Sequence, residues 1–143
     1  MNTNIATNQE QSGRLLRCGV STDTADMSIR TITEPMIRDI AEWETPLLLT
    51  MPYSSAKDIY RGDYVEPAWS LSALLGLLPD IITYGGYQWG MFMTKLSKDC
   101  VCISYARWDN FNSTIGHLSG DSIEACVKTI EWLTENNHKL NEQ

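Results

Sequence analysis

The sequence predicts an α+β domain in which a small antiparallel sheet of three to four strands has helices packed on one face. Residues 71–78 and 123–133 carry apolar side chains at helical spacing, which is typical of helices that bury one face. Residues 87–96 and 101–107 have the composition of two strands joined by a short turn. Because helices and strands do not alternate one by one along the chain, we do not expect a parallel βαβ sheet.

Length and composition fit one ordinary globular domain. The chain has 143 residues, of which 43% are apolar and 20% are charged, as in folded rather than disordered proteins. We therefore expect one domain over residues 1–143, with residues 1–6 and 138–143 frayed. Lys and Arg number 11 and Asp and Glu number 18, giving a formal charge of −7. This charge disfavours nucleic acid as a partner, because binding to phosphates needs clustered cations.

The first predicted helix begins at a capping box formed by Thr7 and Glu10. In this motif the threonine hydroxyl accepts from an amide of the first turn, and the carboxylate accepts from the cap amide. The helix should continue through Arg17 and stop at Gly19, since glycine readily adopts the left-handed conformation of a C-terminal cap. Its apolar face is small, so it must dock on a larger surface to be stable.

The region up to residue 66 gives fewer signals. Residues 21–27 are small and polar and predict a turn closed by side-chain hydrogen bonds. A partial helical stripe predicts a second helix over residues 33–44. The short apolar run between Pro46 and Pro52 predicts a buried or edge strand. The polar residues 53–66 predict a loop.

The second half of the chain contains the clearest elements. Ser70 is a good N-cap for a helix whose apolar stripe consists of Leu71, Leu74, Leu75 and Leu78. After the break at Gly85 and Gly86, the two strands should form an antiparallel hairpin, and residues 113–118 predict a third strand. Asp121 is the expected cap of a final helix with a stripe of Ile123, Cys126, Val127, Ile130 and Leu133.

The four cysteines indicate reduced thiols rather than disulfides. Cys100 and Cys102 lie two apart in a predicted strand, and Cys126 lies on a helical stripe, so burial explains them better than pairing does. A zinc site would need paired Cys-x-x-Cys motifs or nearby histidines. His117 and His138 do not supply them, and we expect no metal and no cofactor.

The N-terminus and the hydropathy pattern favour the cytosol. The chain begins without the basic start and apolar stretch of a signal peptide. No apolar run approaches the ~20 residues that a membrane span requires. We expect no membrane as a partner.

The sequence predicts no enzyme. His117 lies four residues before Asp121, and a histidine near a carboxylate could act as a general base, but a surface strand residue is the simpler interpretation. The nucleophile motif Gly-x-Ser-x-Gly is absent. Gly85 and Gly86 lack the Lys-Ser/Thr pair that follows a phosphate-binding loop. We therefore assign no catalytic residue.

An excess of aromatic residues predicts contact with another molecule. The chain has five tryptophans and six tyrosines, and tryptophan is enriched among the anchors of interfaces. Trp132 lies off the stripe of the final helix, while Trp89 and Trp108 could line a pocket for a flat ligand such as a base or simply fill the core. Asp26 could bind a partner or close a turn. The candidate partner-binding residues are Asp26, Trp69, Trp89, Trp108 and Trp132.

Three segments give the chain a resemblance to a known family. They are residues 11–20 with 24–27, residues 67–75 and residues 121–127 with 131–133. The run Pro-Ala-Trp-Ser-Leu-Ser-Ala-Leu-Leu from Pro67 to Leu75 is the most specific of them. The chain resembles small proteins carried by bacteriophages and mobile elements of Bacteroides-type gut bacteria. The resemblance implies an accessory protein in the cytosol of a bacterial host, and implies no reaction.

Two hypotheses about function follow. The first is a non-enzymatic protein that binds a host component, such as a defence factor, or a second copy of itself in a symmetric dimer. The second is a protein that binds a small molecule such as a nucleotide signal, which would require local clustering of arginines among Arg30, Arg38, Arg61 and Arg107. Mimicry of nucleic acid by negative charge and enzymatic activity are less favoured.

Overall fold

The computed structural model describes residues 5–31, 46–61 and 63–141. Within these ranges the helices are α1 (Gln9–Arg17), α2 (Tyr53–Ile59), α3 (Leu71–Leu77) and α4 (Ser122–Glu135). The strands are β1 (Met27–Thr31), β2 (Leu47–Leu49), β3 (Tyr64–Ala68), β4 (Ile81–Tyr84), β5 (Tyr87–Ser97), β6 (Cys100–Arg107) and β7 (Thr114–Gly120). None of these described helices is both long and apolar enough to cross a bilayer. The predicted α+β class is confirmed.

The described strands form two antiparallel sheets, where the sequence predicted one. The first has the order β2-β1-β3 and the second the order β4-β5-β6-β7. The chain divides between Ala73 and Leu74 into two compact units, and each unit contains one sheet. The sequence suggested a single sheet because β1, β3 and β4 are short and lack a clear alternation of apolar and polar residues.

In the first unit, α1 begins one residue later than predicted. The N-cap is Asn8, whose side chain accepts from the Gln11 amide at 2.8 Å, while the Gln11 side chain accepts from the Asn8 amide at 3.0 Å. The capping box therefore uses Asn8 and Gln11 rather than Thr7 and Glu10. The Thr7 hydroxyl instead accepts from the backbone N–H of Trp69 at 3.0 Å.

The end of α1 agrees with the prediction. Gly19 has φ +85°, and its amide donates to Leu16 O at 3.0 Å while the Val20 amide donates to Leu15 O at 3.2 Å. This pair of bonds is the Schellman motif, which satisfies carbonyls at the helix end. Leu15 and Val20 are both buried, so the motif brings together the apolar residues on either side of the glycine.

The region between α1 and α3 differs most from the sequence analysis. The strand between Pro46 and Pro52 is confirmed as β2, which pairs with β1 so that Leu48 lies opposite Ile29. The prediction of a loop over residues 53–66 is wrong, since this segment contains α2 and most of β3. β3 includes Pro67, which is tolerated because β3 is an edge strand. The helix predicted over residues 33–44 lies outside the described residues.

In the second unit the predicted hairpin and third strand are confirmed. β5 and β6 pair so that Met91 lies opposite Tyr105, and β6 pairs with β7. β4 is not among the predicted strands, and it joins β5 through Gly85 and Gly86, which have φ +61° and +81°. Two successive residues with positive φ form the tight turn whose twist matches that of antiparallel strands.

Helix α4 has the predicted cap, stripe and stop. Asp121 Oδ1 accepts from the Glu124 amide at 2.9 Å, and Asn137 has φ +62° after the last turn. The five stripe residues are buried: Ile123, Cys126, Val127, Ile130 and Leu133. The helix packs on β6 and β7. In α3 the buried leucines are Leu74 and Leu77, so Leu77 is more deeply buried than Leu71 and Leu75 of the predicted stripe.

Several terminal residues expected to fray make hydrogen bonds. The amide of His138 donates to Leu133 O at 2.8 Å. The side-chain amide of Asn141 donates to Gly76 O at 3.0 Å and to Leu78 O at 2.9 Å. In the first unit, Ala6 forms a strand-like bridge with Ser70. The partners of Ala6 and Asn141 are distant in sequence, so composition alone does not reveal these contacts.

Burial of the Cys126 thiol should make the protein less stable at alkaline pH. All four cysteines are free, and burial raises the pKa of the Cys126 thiol from its ordinary value of 9.0 to about 12. The unfolded chain therefore releases this proton first, so the stabilisation is fully present below pH 9 and is lost as the pH rises towards 12. Between these two pH values the thiol lowers the unfolding free energy of the wild type by about 1.4 kcal/mol for each pH unit. Cys126→Ala should lack this part of the decline. Urea unfolding of both proteins between pH 8.5 and 11 measures this difference. Parallel plots of unfolding free energy against pH would contradict the prediction.

Candidate functional site

The four-stranded sheet of the second unit has two different faces. Residues paired across antiparallel strands lie on the same face, so the pairs Trp89 with Arg107 and Met91 with Tyr105 share one face. Trp132 of α4 stacks on Tyr105 with ring centroids 6.1 Å apart, and α4 therefore covers this face. The opposite face, here called the outer face, carries the pairs Gly90 with Ala106 and Phe92 with Ser104.

A groove of about 490 Å³ lies at the β4 side of the outer face. The residues that line this outer-face groove are Asp80, Ile81, Gly90, Met91, Phe92, Ala106, Trp108 and Phe111. Four of its large apolar side chains are well exposed: Ile81 (46%), Phe92 (38%), Trp108 (53%) and Phe111 (67%). Single exposed apolar residues are common, whereas a group of them around one groove is a candidate interaction site.

The strand register places Trp108 in this groove. Its backbone N–H donates to Gln88 O at 3.0 Å, which continues the pairing of β6 with β5 by one residue. The indole lies over the backbone of Gly90, where an added Cβ would be 3.4 Å from two ring carbons. Phe111 contacts the indole edge to face, with centroids 6.3 Å apart and an interplanar angle of 61°. The two rings thus form a corner that opens to solvent.

The loop that carries both rings is held at its base. Arg107 donates from two nitrogens to the two carboxylate oxygens of Asp109, each at 2.8 Å, and this contact lowers the pKa of Asp109. The Arg107 amide donates to Ser113 O and the Ser113 amide to Asn110 O, both at 3.0 Å. Because these contacts close the loop on either side of Phe111, the rings are presented by a defined turn.

Asp80 supplies the one carboxylate among the residues that line the groove. Its backbone oxygen accepts from the Met91 amide at 2.9 Å, which fixes it beside β5. Its side chain is exposed, and among the described residues it has no hydrogen-bond or ion-pair partner. Burial first, and then the charge of Asp80, raise the pKa of the Tyr105 hydroxyl. The pairing of Asp80 with Met91 and the effect of its charge on Tyr105 associate Asp80 with the face that α4 covers.

Two of the predicted partner-binding tryptophans lie in the core instead. Trp69 is fully buried, and its indole N–H donates to Thr24 Oγ1 at 2.8 Å. Trp89 is 7% exposed, and its indole N–H donates to Tyr84 O at 2.9 Å. Trp89 and Trp108 lie on opposite faces of the sheet, so they do not form the shared pocket that the sequence suggested. Trp43 lies outside the described residues.

Trp132 and Asp26 have structural contacts of their own. The half-buried Trp132 ring lies between Tyr105 and His138, whose centroid is 5.8 Å from that of the indole. Asp26 is exposed and accepts from both the backbone N–H and the hydroxyl of Ser70. Ser70 in turn caps α3, since its Oγ accepts from the Ala73 amide at 3.2 Å. Asp26 therefore orients a distant helix cap, and the described residues show no hydrogen bond by which Asp26 closes its own turn.

His117 lies on the outer face, and the structure does not place it with Asp121 as a general base. Its ring nitrogens are 3.3 Å from Ser104 Oγ and 2.9 Å from Thr114 Oγ1, while Asp121 caps α4. Ser104 is only 3% exposed, so its hydroxyl is not open to a substrate. The described residues contain no group of three side chains that could hold a metal ion.

The sequence analysis named Trp108 but not the residues around it. These residues come from three separate segments, at residues 80–81, at Phe92 and at Phe111, which only strand pairing and the loop bring together. One signal was available: in a strand, alternate residues share a face, so the predicted alternation of β6 places Trp108 with Ala106 and Ser104. The position of Phe111 carries no comparable periodic signal.

Comparison with known proteins identifies no relative of this chain. No family model matches it, and searches of curated proteins and of solved structures find no significant similarity.

Proposed function

We propose that this chain is a non-enzymatic accessory protein of a phage or mobile element that binds a protein of its bacterial host through the outer-face groove. The observation that supports this function is the exposed group of Ile81, Phe92, Trp108 and Phe111 around one groove. Tryptophan and other aromatic residues, when clustered and rigidly held, are the common anchors of protein interfaces. The phage setting comes from the sequence resemblance alone.

The shape of the groove favours a protein partner over a small molecule, which would usually bind in a deeper pocket. The rings lie on an open face beside exposed strand residues of β5, so a partner can cover them together. The held turn that carries Trp108 and Phe111 reduces the entropy that binding would otherwise cost. A defence factor of the host fits this proposal, as does any other host protein with a complementary surface.

The alternative is a small-molecule binder that stacks a base on Trp108. Its exposed indole is the observation in favour of it. The groove is unfavourable for a nucleotide signal, since no lysine or arginine is among the described residues that line it to bind the phosphates. Arg107, in the same unit, is paired with Asp109 and lies 3.8 Å from the centroid of the Tyr87 ring. We therefore favour a protein partner.

Site-specific photo-crosslinking tests the proposed function. A benzoylphenylalanine in place of Phe111 should crosslink one host protein in cells of a Bacteroides-type bacterium. With that partner purified, Trp108→Ala should weaken binding by about 30-fold, because removing a central aromatic anchor costs about 2 kcal/mol or more. Isothermal titration calorimetry measures the change.

Ile59 provides the matched control. It is an exposed apolar residue in α2, at 61% exposure, and does not line the groove. The crosslinker at Ile59 should not capture the same protein, and Ile59→Ser should bind the partner within about twofold of the wild type. Equal binding by Trp108→Ala would overturn the proposal. A crosslink from Phe111 only to a second copy of this chain would replace the host partner with a homodimer.

A further inference from the structure

β5 is much longer than β4, and this difference leaves part of one edge of β5 without a neighbour. β4 contains four residues and β5 contains 11. β4 pairs with residues 87–90, and the Met91 amide then donates to Asp80 O at 2.9 Å. In the part of the chain that the structure describes, no strand pairs with residues 92–97 on this side. We call this side of residues 92–97 the open edge.

The chain that leads into β4 does not fill the space beside the open edge. The Pro79 carbonyl accepts from the Tyr105 hydroxyl at 2.8 Å, and Tyr105 lies on the face that α4 covers, so the chain reaches β4 from that face. All of residues 92–97 are exposed. The large apolar side chains among them are Phe92, Met93 and Leu96. An exposed strand edge of this kind is a template for pairing with another chain.

The hydrogen bonds of β5 show which backbone groups point to the open edge. In a strand, the N–H and C=O of one residue point to the same side, and those of the next residue point to the opposite side. The Met91 amide points to the β4 side, so the backbone groups of Met93 and Lys95 do so too. They offer two donors and two acceptors with a repeat of about 6.8 Å. An extended polypeptide presents matching groups at this spacing.

The register argues against a second copy of β5 as the occupant. Two open edges related by a two-fold axis overlap best with Thr94 or Lys95 at the axis. The first register places Ser97 opposite Met91 of the other copy, whose amide is already bonded to Asp80 O. The second places two ammonium groups directly opposite each other, which is unfavourable. A single strand that has no neighbour such as β4 meets neither obstacle.

The open edge is continuous with the outer-face groove. Phe92 lines the groove, and Thr94 lies on the same face because alternate residues of a strand share a face. A residue of an added strand opposite Thr94 would therefore lie on the outer face, where a long apolar side chain reaches Phe92 diagonally. Lys95 is exposed and favours an acidic residue opposite it.

We propose that the open edge of β5 binds an extended segment of the host protein as an additional strand, whose backbone bonds to Met93 and Lys95. The segment carries an apolar residue opposite Thr94 and an acidic residue opposite Lys95. This inference rests on the proposed function, because it names the form of the partner beside the same groove. The bulge between Lys95 and Ser97 ends the pairing, and bulges and edge lysines limit unselective pairing.

Amide hydrogen exchange measured by nuclear magnetic resonance tests the inference residue by residue. In the free protein, the amides of Met93 and Lys95 should exchange rapidly, whereas those of Phe92 and Thr94 point to β6 and should be protected. The host partner identified by crosslinking at Phe111 should slow exchange at Met93 and Lys95 at least about tenfold. Protection of these two amides in the free protein, or unchanged exchange in the complex, would overturn the inference.

Two proline variants test the role of the backbone donor. Met93→Pro removes a donor of the open edge and no bond to β6, a change that edge strands tolerate, and should weaken binding of the partner about tenfold. Thr83→Pro is the matched control. Thr83 lies opposite Gln88, whose carbonyl accepts from Trp108 on the β6 side, so the Thr83 amide points away from β5. This variant should bind within about twofold of the wild type, and equal binding by Met93→Pro would contradict the inference.

A peptide probe separates this inference from the proposed function. Random twelve-residue peptides displayed on phage are depleted on Met93→Pro and then selected on the wild type, and the selected peptides should protect the amides of Met93 and Lys95. If the host protein binds through Trp108 without protecting these amides, the proposed function stands and this inference fails. If selected peptides protect them but no host protein depends on Trp108, the open edge binds strands and the proposed function fails.

Discussion

Trp69→Ala should destabilise the first unit by about 3–5 kcal/mol, the usual cost of removing a large aromatic side chain from a core. Trp69 is fully buried, and its backbone joins two parts of this unit: its N–H donates to Thr7 Oγ1 and its carbonyl accepts from the Thr7 amide. The side chain adds the indole hydrogen bond to Thr24. Hydrogen exchange of the β1 and β3 amides at increasing denaturant measures the loss.

Two further variants separate the contributions of Trp69. Trp69→Phe keeps most of the buried ring but removes the indole N–H, and should cost about 1–2 kcal/mol. Trp108→Ala removes a tryptophan that is 53% exposed and should cost no more than about 1 kcal/mol. If Trp69→Ala were as mild as Trp108→Ala, Trp69 would not be the core residue that its burial indicates.

Tyr105→Ala should destabilise the second unit by a similar amount, about 3–5 kcal/mol. Tyr105 is fully buried in β6, stacks on Trp132 of α4 and donates to Pro79 O at 2.8 Å. Removing it opens a cavity between the sheet and α4 and leaves the Pro79 carbonyl without this donor. Exchange of the β5 and β6 amides reports the change.

Tyr105→Phe isolates the hydroxyl of this residue. The ring and its stacking remain, so the expected cost is about 1–2 kcal/mol from the unsatisfied carbonyl. A loss for Tyr105→Phe as large as that for Tyr105→Ala would mean that the hydrogen bond to Pro79, and not the packing of the ring, supplies most of the stabilisation by Tyr105. Equal stability of Tyr105→Phe and the wild type would show that water replaces the hydroxyl at Pro79.

Local signals in the sequence were sufficient for the elements with strong periodicity. The stripe from Ile123 to Leu133 predicted α4 and its buried face, and Asp121 predicted its cap, because helix geometry and capping depend on residues within a few positions. The alternation in residues 101–107 predicted β6 for the same reason. Gly19 predicted the end of α1, since only a residue that tolerates positive φ suits the Schellman position.

Elements without a periodic signal were missed. β3 and α2 lie in a polar segment that predicted a loop, and their apolar contacts involve single residues such as Ala56 and Ala68, which are both fully buried. The cap of α1 was misplaced by one residue because the Thr7 hydroxyl bonds to Trp69, 62 positions away. Such long-range hydrogen bonds compete with local capping, and a local pattern does not contain them.

The candidate site shows the same division. Composition indicated that aromatic residues were in excess, but it did not indicate which of them are buried. Trp69 and Trp89 found hydrogen-bond partners inside their units, whereas the turn after β6 leaves Trp108 and Phe111 at the surface. Ile81 lies on the same face as these rings only through the pairing of β4 with β5.

The sequence by itself determined the α+β class and the helices and strands whose periodicity and caps are local. The tertiary structure alone decided that the strands form two sheets and that one face of the second sheet presents exposed aromatic rings. The physical reason is the range of the interactions. A helix stripe is fixed by neighbours three or four residues apart, whereas a surface groove depends on strand pairing between distant segments.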